Sequence, residues 1–151
     1  MMNRLQQLAK LEGHWQGLNQ LWLSPNDPVR ESETAVSVTN TGQGNFVTLA
    51  YTWADAGKPQ DGLLLIGQAN EGIQAVWVDS WHMGKQMMLC HGEVTANGGT
   101  SVRGSYAAPP DPDWGWRIDV EPEENGRFRL LMYNITPHGE EMLAVTAVYT
   151  R

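Results

Sequence analysis

What most constrains this chain is a rhythm. From residue 14 to the C-terminus, segments rich in β-branched and aromatic side chains alternate with short stretches of turn chemistry. Ten segments read as strands: 14–23, 30–39, 45–53, 62–69, 73–81, 86–95, 100–107, 115–121, 126–134 and 140–150. Between them stand breakers such as Ser24-Pro25-Asn26-Asp27-Pro28, Asp55-Ala56-Gly57-Lys58-Pro59, Asn97-Gly98-Gly99 and Pro109-Pro110-Asp111-Pro112-Asp113. Glycine supplies positive φ, proline presets a turn, and Asn-Gly is the strongest short hairpin signal. Only residues 3–10 read as a helix, with Leu5, Leu8 and Leu11 on one stripe.

Ten short strands in tight sequence make a meander, and closure is what removes a meander's open edges. The expected fold is therefore all-β: an up-and-down antiparallel β-barrel of about ten strands with a short N-terminal helix, forming one domain over residues 1–151. A barrel of that strand number is wider than its lining side chains comfortably fill, so a cavity is expected. The segment 109–113 comes nearest to a linker, but the strands beside it are too short to stand alone.

Composition narrows the partners. The net charge is −7, with ten Lys and Arg scattered and no basic stripe, which argues against nucleic acid. No apolar run approaches the roughly 18 residues of a membrane span. The N-terminus lacks the apolar run of a signal peptide, and the one cysteine, Cys90, makes no internal disulfide, so a cytoplasmic protein is expected. Tryptophan is over-used: seven against two Phe. Such rings serve either as plugs for a barrel interior or as a stacking surface for a ligand.

Two features sit at opposite ends. Gly13-His14-Trp15 opens the first strand, and Arg151 follows the last. First and last strands are neighbours in a closed meander, so Arg151 is placed to lie over the Trp15 ring and close the barrel. The short helix, the Gly-x-Trp and the terminal Arg resemble the calycins, which include lipocalins and fatty-acid-binding proteins. Trp77-Val78-Asp79-Ser80, then Gly92, Gly104 and the closing Pro137-His138-Gly139-Glu140 and Tyr149-Thr150-Arg151, resemble a bacterial calycin-like family of unknown function. That resemblance spans nearly the whole chain and implies a fold rather than an activity. In the related nitrobindin-like haem barrels a His on the last strand ligates haem. Here residues 142–149 contain no His, which argues against that ligation.

The candidate site lies between residues 73 and 107. With Gly84-Lys85 and Asn97-Gly98 as two-residue turns, Trp77, Asp79, Trp81, Met88, Cys90, Arg103 and Ser105 share one face. Pointing inward, that face offers two Trp rings, a soft Met–Cys surface and an Asp79–Arg103 pair to orient a polar head group. The expected ligand-binding residues are thus Trp77, Asp79, Trp81, Cys90, Arg103 and Ser105. The alternative is a structural ion pair beside core tryptophans. The other face, with Val76, Val78, Leu89, Val102 and Tyr106 together with His82, His91 and Glu93, is also a candidate inner face, since a one-residue slip exchanges the two.

His82, His91 and Glu93 lack the convergence of a zinc site, and no hydrolase triad, phosphate loop or activated thiol is legible. No metal, cofactor or catalytic residue is expected. The leading expectation is a barrel binding a small apolar or amphipathic molecule. One alternative is an isomerase-like enzyme using Asp79 as base and Arg103 as electrostatic stabiliser. The other is an oligomerising module, such as a homodimer, with the Val76–Val78–Leu89 face outward.

Overall fold

The computed structural model describes residues 3–151. All ten expected strands form: β1 (Gly13–Leu21), β2 (Arg30–Thr41), β3 (Phe46–Asp55), β4 (Lys58–Gln68), β5 (Ile73–Asp79), β6 (Met88–Val94), β7 (Thr100–Ala108), β8 (Asp111–Pro122), β9 (Arg127–Ile135) and β10 (Glu141–Thr150). Each pairs antiparallel with its neighbour in sequence. β1 also pairs with β10, with Gln16 opposite Thr150 and Leu21 opposite Val145, so the sheet is a closed barrel.

Alternation along each strand fills the interior. Val47, Leu49, Tyr51 and Trp53 point inward from β3, Ile73, Ala75, Trp77 and Asp79 from β5, and Trp116, Ile118 and Val120 from β8. The barrel has two unlike ends. One is plugged by a single turn of helix, α1 (Gln6–Ala9), which is shorter than the expected 3–10. Its Leu5, Leu8 and the following Leu11 are all buried. Asn3 Oδ1 accepts the Leu5 N–H at 2.9 Å, and Arg4 donates to the carbonyls of Ala69 and Gly72, which ties the plug to the β4–β5 turn.

Arg151 completes the plug. Its guanidinium lies 4.1 Å from the Trp15 ring centroid, and it donates to Glu12 O at 2.9 Å and Lys10 O at 3.3 Å. Trp15 Nε1 donates to Leu11 O at 2.8 Å. The Gly of the Gly-x-Trp has two reasons to be there. Gly13 sits at φ +134°, and a Cβ on it would come within 2.8 Å of Arg151 Nη1.

The strand ends depart from expectation in informative places. β5 stops at Asp79 and β6 starts at Met88, so Gly84-Lys85 is not a two-residue hairpin but part of a loop over residues 80–87. The Asn97-Gly98 turn is one residue longer than expected. Thr95 N–H donates to Gly99 O, leaving three residues in the loop, and Gly98 takes φ +84°. Conversely β4 starts early, at Lys58, because Ala56 and Gly57 both adopt positive φ and make the tight turn themselves.

Candidate functional site

The end opposite α1 is an open mouth. Its geometry is organised by Asp79, the last residue of β5, which is only 3% exposed. Oδ1 accepts the backbone N–H of Trp81 at 2.9 Å and of His82 at 2.8 Å. Oδ2 accepts the Tyr51 hydroxyl at 2.7 Å and Trp53 Nε1 at 3.2 Å. Trp77 Nε1 in turn donates to the Tyr51 oxygen at 2.9 Å. A buried carboxylate is tolerated when donors surround it, and here four converge. The result is a knot joining β3, β5 and the 80–87 loop, which it folds back across the mouth. Burial and the adjacent Asp79 push the Tyr51 phenol well above its ordinary range.

The knot places His82 among four tryptophans. Its ring centroid lies 5.6 Å from that of Trp53, 5.7 Å from Trp77, 4.6 Å from Trp81 and 5.3 Å from Trp116. Trp77 and Trp116 are themselves stacked, 5.3 Å apart and 9° from parallel. Among the described residues the His82 ring nitrogens have no hydrogen-bond partner. Burial lowers its pKa, and the nearby Asp79 only partly opposes this, so the imidazole is held neutral.

Above this cage opens a cavity of about 220 Å³, walled by Trp77, Trp81, His82, Met88, Tyr106 and Trp116. Gly104 of β7 faces inward with no side chain, and Met88 fills the place: a Cβ there would lie 2.6 Å from Met88 Cγ. Below His82 is a chamber of about 10 Å³ bounded by Asn19, Thr34, Tyr51, Asp79 and Tyr149, the size of one water. His82 lines both spaces and divides them. Thr34 and Tyr149 share a hydrogen bond at 2.8 Å, and burial pushes the Tyr149 phenol up to about 12.

Of the six residues expected at the site, the structure brings three to the mouth. Trp77 and Asp79 point inward from β5, and Trp81 stands on the rim, 37% exposed. Cys90 also points inward but sits deeper, opposite Ala75, in the packed wall, where burial raises its thiol to about 11. Arg103 and Ser105 are the correction. They face solvent, and Arg103 pairs with Glu141 at 2.7 Å on the outer surface. The three-residue loop at 96–98 shifts β7 by one, opposing His91 to Arg103 and Gly92 to Val102. Such a shift turns every side chain to the other face, so Val102, Gly104 and Tyr106 take the inner positions. The Asp79–Arg103 pair therefore does not form, and with it goes the base-and-stabiliser arrangement of the isomerase alternative. The slip in the β5–β6 hairpin is even, so Trp77, Met88 and Cys90 keep their common face.

Sequence reasoning missed Tyr51, Trp53, His82 and Trp116. Tyr51 and Trp53 carry a readable signal, since they continue the alternation of Val47 and Leu49, and Trp116 does so with Ile118 and Val120. His82 carries none, because its place depends on a loop conformation set by Asp79. His91 and Glu93 point outward, and no cluster of three metal-ligating side chains forms among the described residues. Nor is any helix among them long and apolar enough to cross a membrane.

Comparison with known proteins adds fold information. The crystal structure of Rv2717c from M. tuberculosis superposes with a TM-score of 0.64 at 15% identity, covering 100% of this chain and 98% of that one. At that identity the likeness shows the fold alone. No curated protein matches the chain. A family model described as "Protein of unknown function (DUF1579)" matches residues 3–151.

Proposed function

The chain belongs to that family of unknown function, and from its own geometry we propose that it binds a small apolar or amphipathic molecule in the mouth cavity. The observation that carries this reading is the cavity of about 220 Å³ whose wall is chiefly aromatic and thioether. Ligand sites are concave, mostly apolar and furnished with a few polar groups. Here the polar groups are Ser24, His82, Tyr106 and Asn134, the last two joined by a 2.5 Å hydrogen bond. The volume is below the roughly 300–1,000 Å³ of drug-sized pockets, which favours a small, flat occupant. The calycin-like resemblance of the sequence is in keeping with such a role.

Within this reading Trp77 and Trp81 are ligand contacts and Asp79 is a positioning residue, holding the loop that carries Trp81 and His82. Cys90, Arg103 and Ser105 have no direct part. The test is native purification followed by denaturation and mass spectrometry, with an absorbance spectrum on the same sample. A stoichiometric small molecule whose release perturbs tryptophan fluorescence supports the reading. A protein that arrives empty, and whose fluorescence no apolar or aromatic probe changes, refutes it.

A second reading, self-association, is favoured by one observation. The outer face of β3–β6 carries Phe46, Leu63, Leu65, Val76 and Leu89, with Leu89 66% exposed, around a shallow groove. Contiguous exposed apolar surface of this kind marks interfaces. Light scattering coupled to size exclusion would show a dimer that Leu89→Lys returns to monomer; a monomeric native protein removes this reading.

A further inference from the structure

Resting on the ligand-binding reading above, we infer that the mouth cavity discriminates by charge: it takes flat aromatic molecules that are neutral or positively charged and rejects carboxylate-bearing amphiphiles. Three observations carry this.

The first is the inventory of charged groups inside the barrel. Among the described residues Asp79 is the only acid that points into the interior, and no Lys or Arg does. The arginines are committed elsewhere. Arg30 pairs with Asp55, Arg103 and Arg117 with Glu141, Arg129 with Glu121, and Arg151 lies over Trp15. An anionic head group entering the mouth would find no cation to receive it, while approaching a buried carboxylate. Burying a charge without a partner is strongly unfavourable.

The second is the use already made of the hydroxyl donors. Tyr51 donates to Asp79, Thr34 and Tyr149 bond each other, and Tyr106 bonds Asn134. Of the donors lining the cavity, the Ser24 hydroxyl and Trp116 Nε1 have no partner among the described residues; both are uncharged, and two neutral donors do not replace the missing cation. The mouth itself leans acidic. Asp27, Asp111, Asp113 and Glu140 lie at the loops and strand ends there without an ion pair among the described residues, against Lys58 and Lys85. That balance steers cations inward and anions away.

The third is what the cage already holds. A flat nitrogen heterocycle, the His82 ring, sits among four indoles with no hydrogen bond to its nitrogens. Indole faces attract cations and stack flat rings. The protein has thus built a place for a group of this shape.

Three shape-matched probes test the inference at pH 7.5 and low salt: N-methylquinolinium, 1-methylnaphthalene and 1-naphthoate. Binding is followed by the indole N–H resonances of ¹⁵N-labelled protein. The expected result is that 1-naphthoate is the weakest, by about tenfold or more against the cation, and that salt narrows the gap. Met142→Lys, at a half-buried position in the cavity wall, is expected to bring 1-naphthoate level with the cation or ahead of it. Asp79→Asn should narrow the gap as well, and Met142→Lys decides the matter if that variant does not fold. If 1-naphthoate binds wild type as tightly as the cation, or Met142→Lys leaves the order unchanged, charge selection is refuted while ligand binding stands. If none of the three perturbs any indole, the binding reading itself is refuted and this inference with it.

Discussion

Replacing Asp79 with alanine should be among the most damaging single changes in this barrel. The substitution removes the acceptor for four donors at once: the Tyr51 hydroxyl, the Trp53 indole and the N–H groups of Trp81 and His82. The two loop N–H groups are only partly buried and can turn to water at smaller cost. Tyr51 and Trp53 are 5% and 7% exposed and cannot. Each buried donor left unpaired costs about 1–3 kcal/mol, and removing one partner from a buried charged network costs about 3–5 kcal/mol in all. The desolvation that alanine relieves keeps the loss toward the lower half of that range. Against a typical total stability of about 5–15 kcal/mol, this is a large fraction. Asp79→Asn keeps one oxygen for the loop N–H groups. Its amide nitrogen donates to the Tyr51 oxygen, which already accepts Trp77 Nε1, and leaves the Tyr51 O–H and the Trp53 N–H without an acceptor, so a loss of about 2–3 kcal/mol is expected, below that of alanine because the loop stays held. Urea unfolding followed by far-UV circular dichroism gives the values, provided the slope is unchanged. An Asp79→Ala variant within about 1 kcal/mol of wild type, at equal slope, would refute the view that this carboxylate organises the mouth.

Three other outcomes follow from the same geometry. Arg151→Ala loses the stacking on Trp15 and two hydrogen bonds to the α1 segment; because the site is partly exposed the expected loss is about 1–2 kcal/mol, seen as a thermal midpoint lower by about 3–8 °C, and an unchanged midpoint would count against its closing role. Cys90, with its thiol raised to about 11, should be ionised in only about one molecule in a thousand at pH 8, so a thiol reagent should label it only after unfolding, and prompt labelling of the native protein would contradict its burial. His82 has a folded pKa below its ordinary 6.5, so the unfolded chain takes up the proton first; its contribution is complete above pH 6.5 and is lost as pH falls from there toward the folded value, and His82→Phe should remove that part of the slope in urea midpoints between pH 7.5 and 5.

The sequence was legible wherever one local rule decided the outcome. Ten strands and their closure follow from alternation and turn residues, and the short N-terminal helix, though not its place as a plug, follows from three leucines at helical spacing. The Trp15–Arg151 contact follows too, because chain ends that flank a closed seam must meet. What escaped was the length of a loop. Asn97-Gly98 is compatible with two-residue and three-residue hairpins alike, and nothing local separates them. One residue there decides whether Arg103 or Val102 enters the barrel, and therefore whether the cavity holds a cation. The apolar periodicity of β7 gave little help, since it offers Val102 and Tyr106 on one face and only Arg103 and Ser105 on the other, over too few residues to outweigh an attractive Asp–Arg pairing. His82 escaped for a different reason. Its position is set by the backbone N–H groups two and three residues after Asp79 donating to that carboxylate at the strand's end, a local turn with no periodic trace. The two failures bear on the same property of the site. A barrel with Arg103 inside would receive anions; on the charge selection inferred above, the barrel that forms, with a neutral imidazole and a buried carboxylate among indoles, favours the opposite class of ligand.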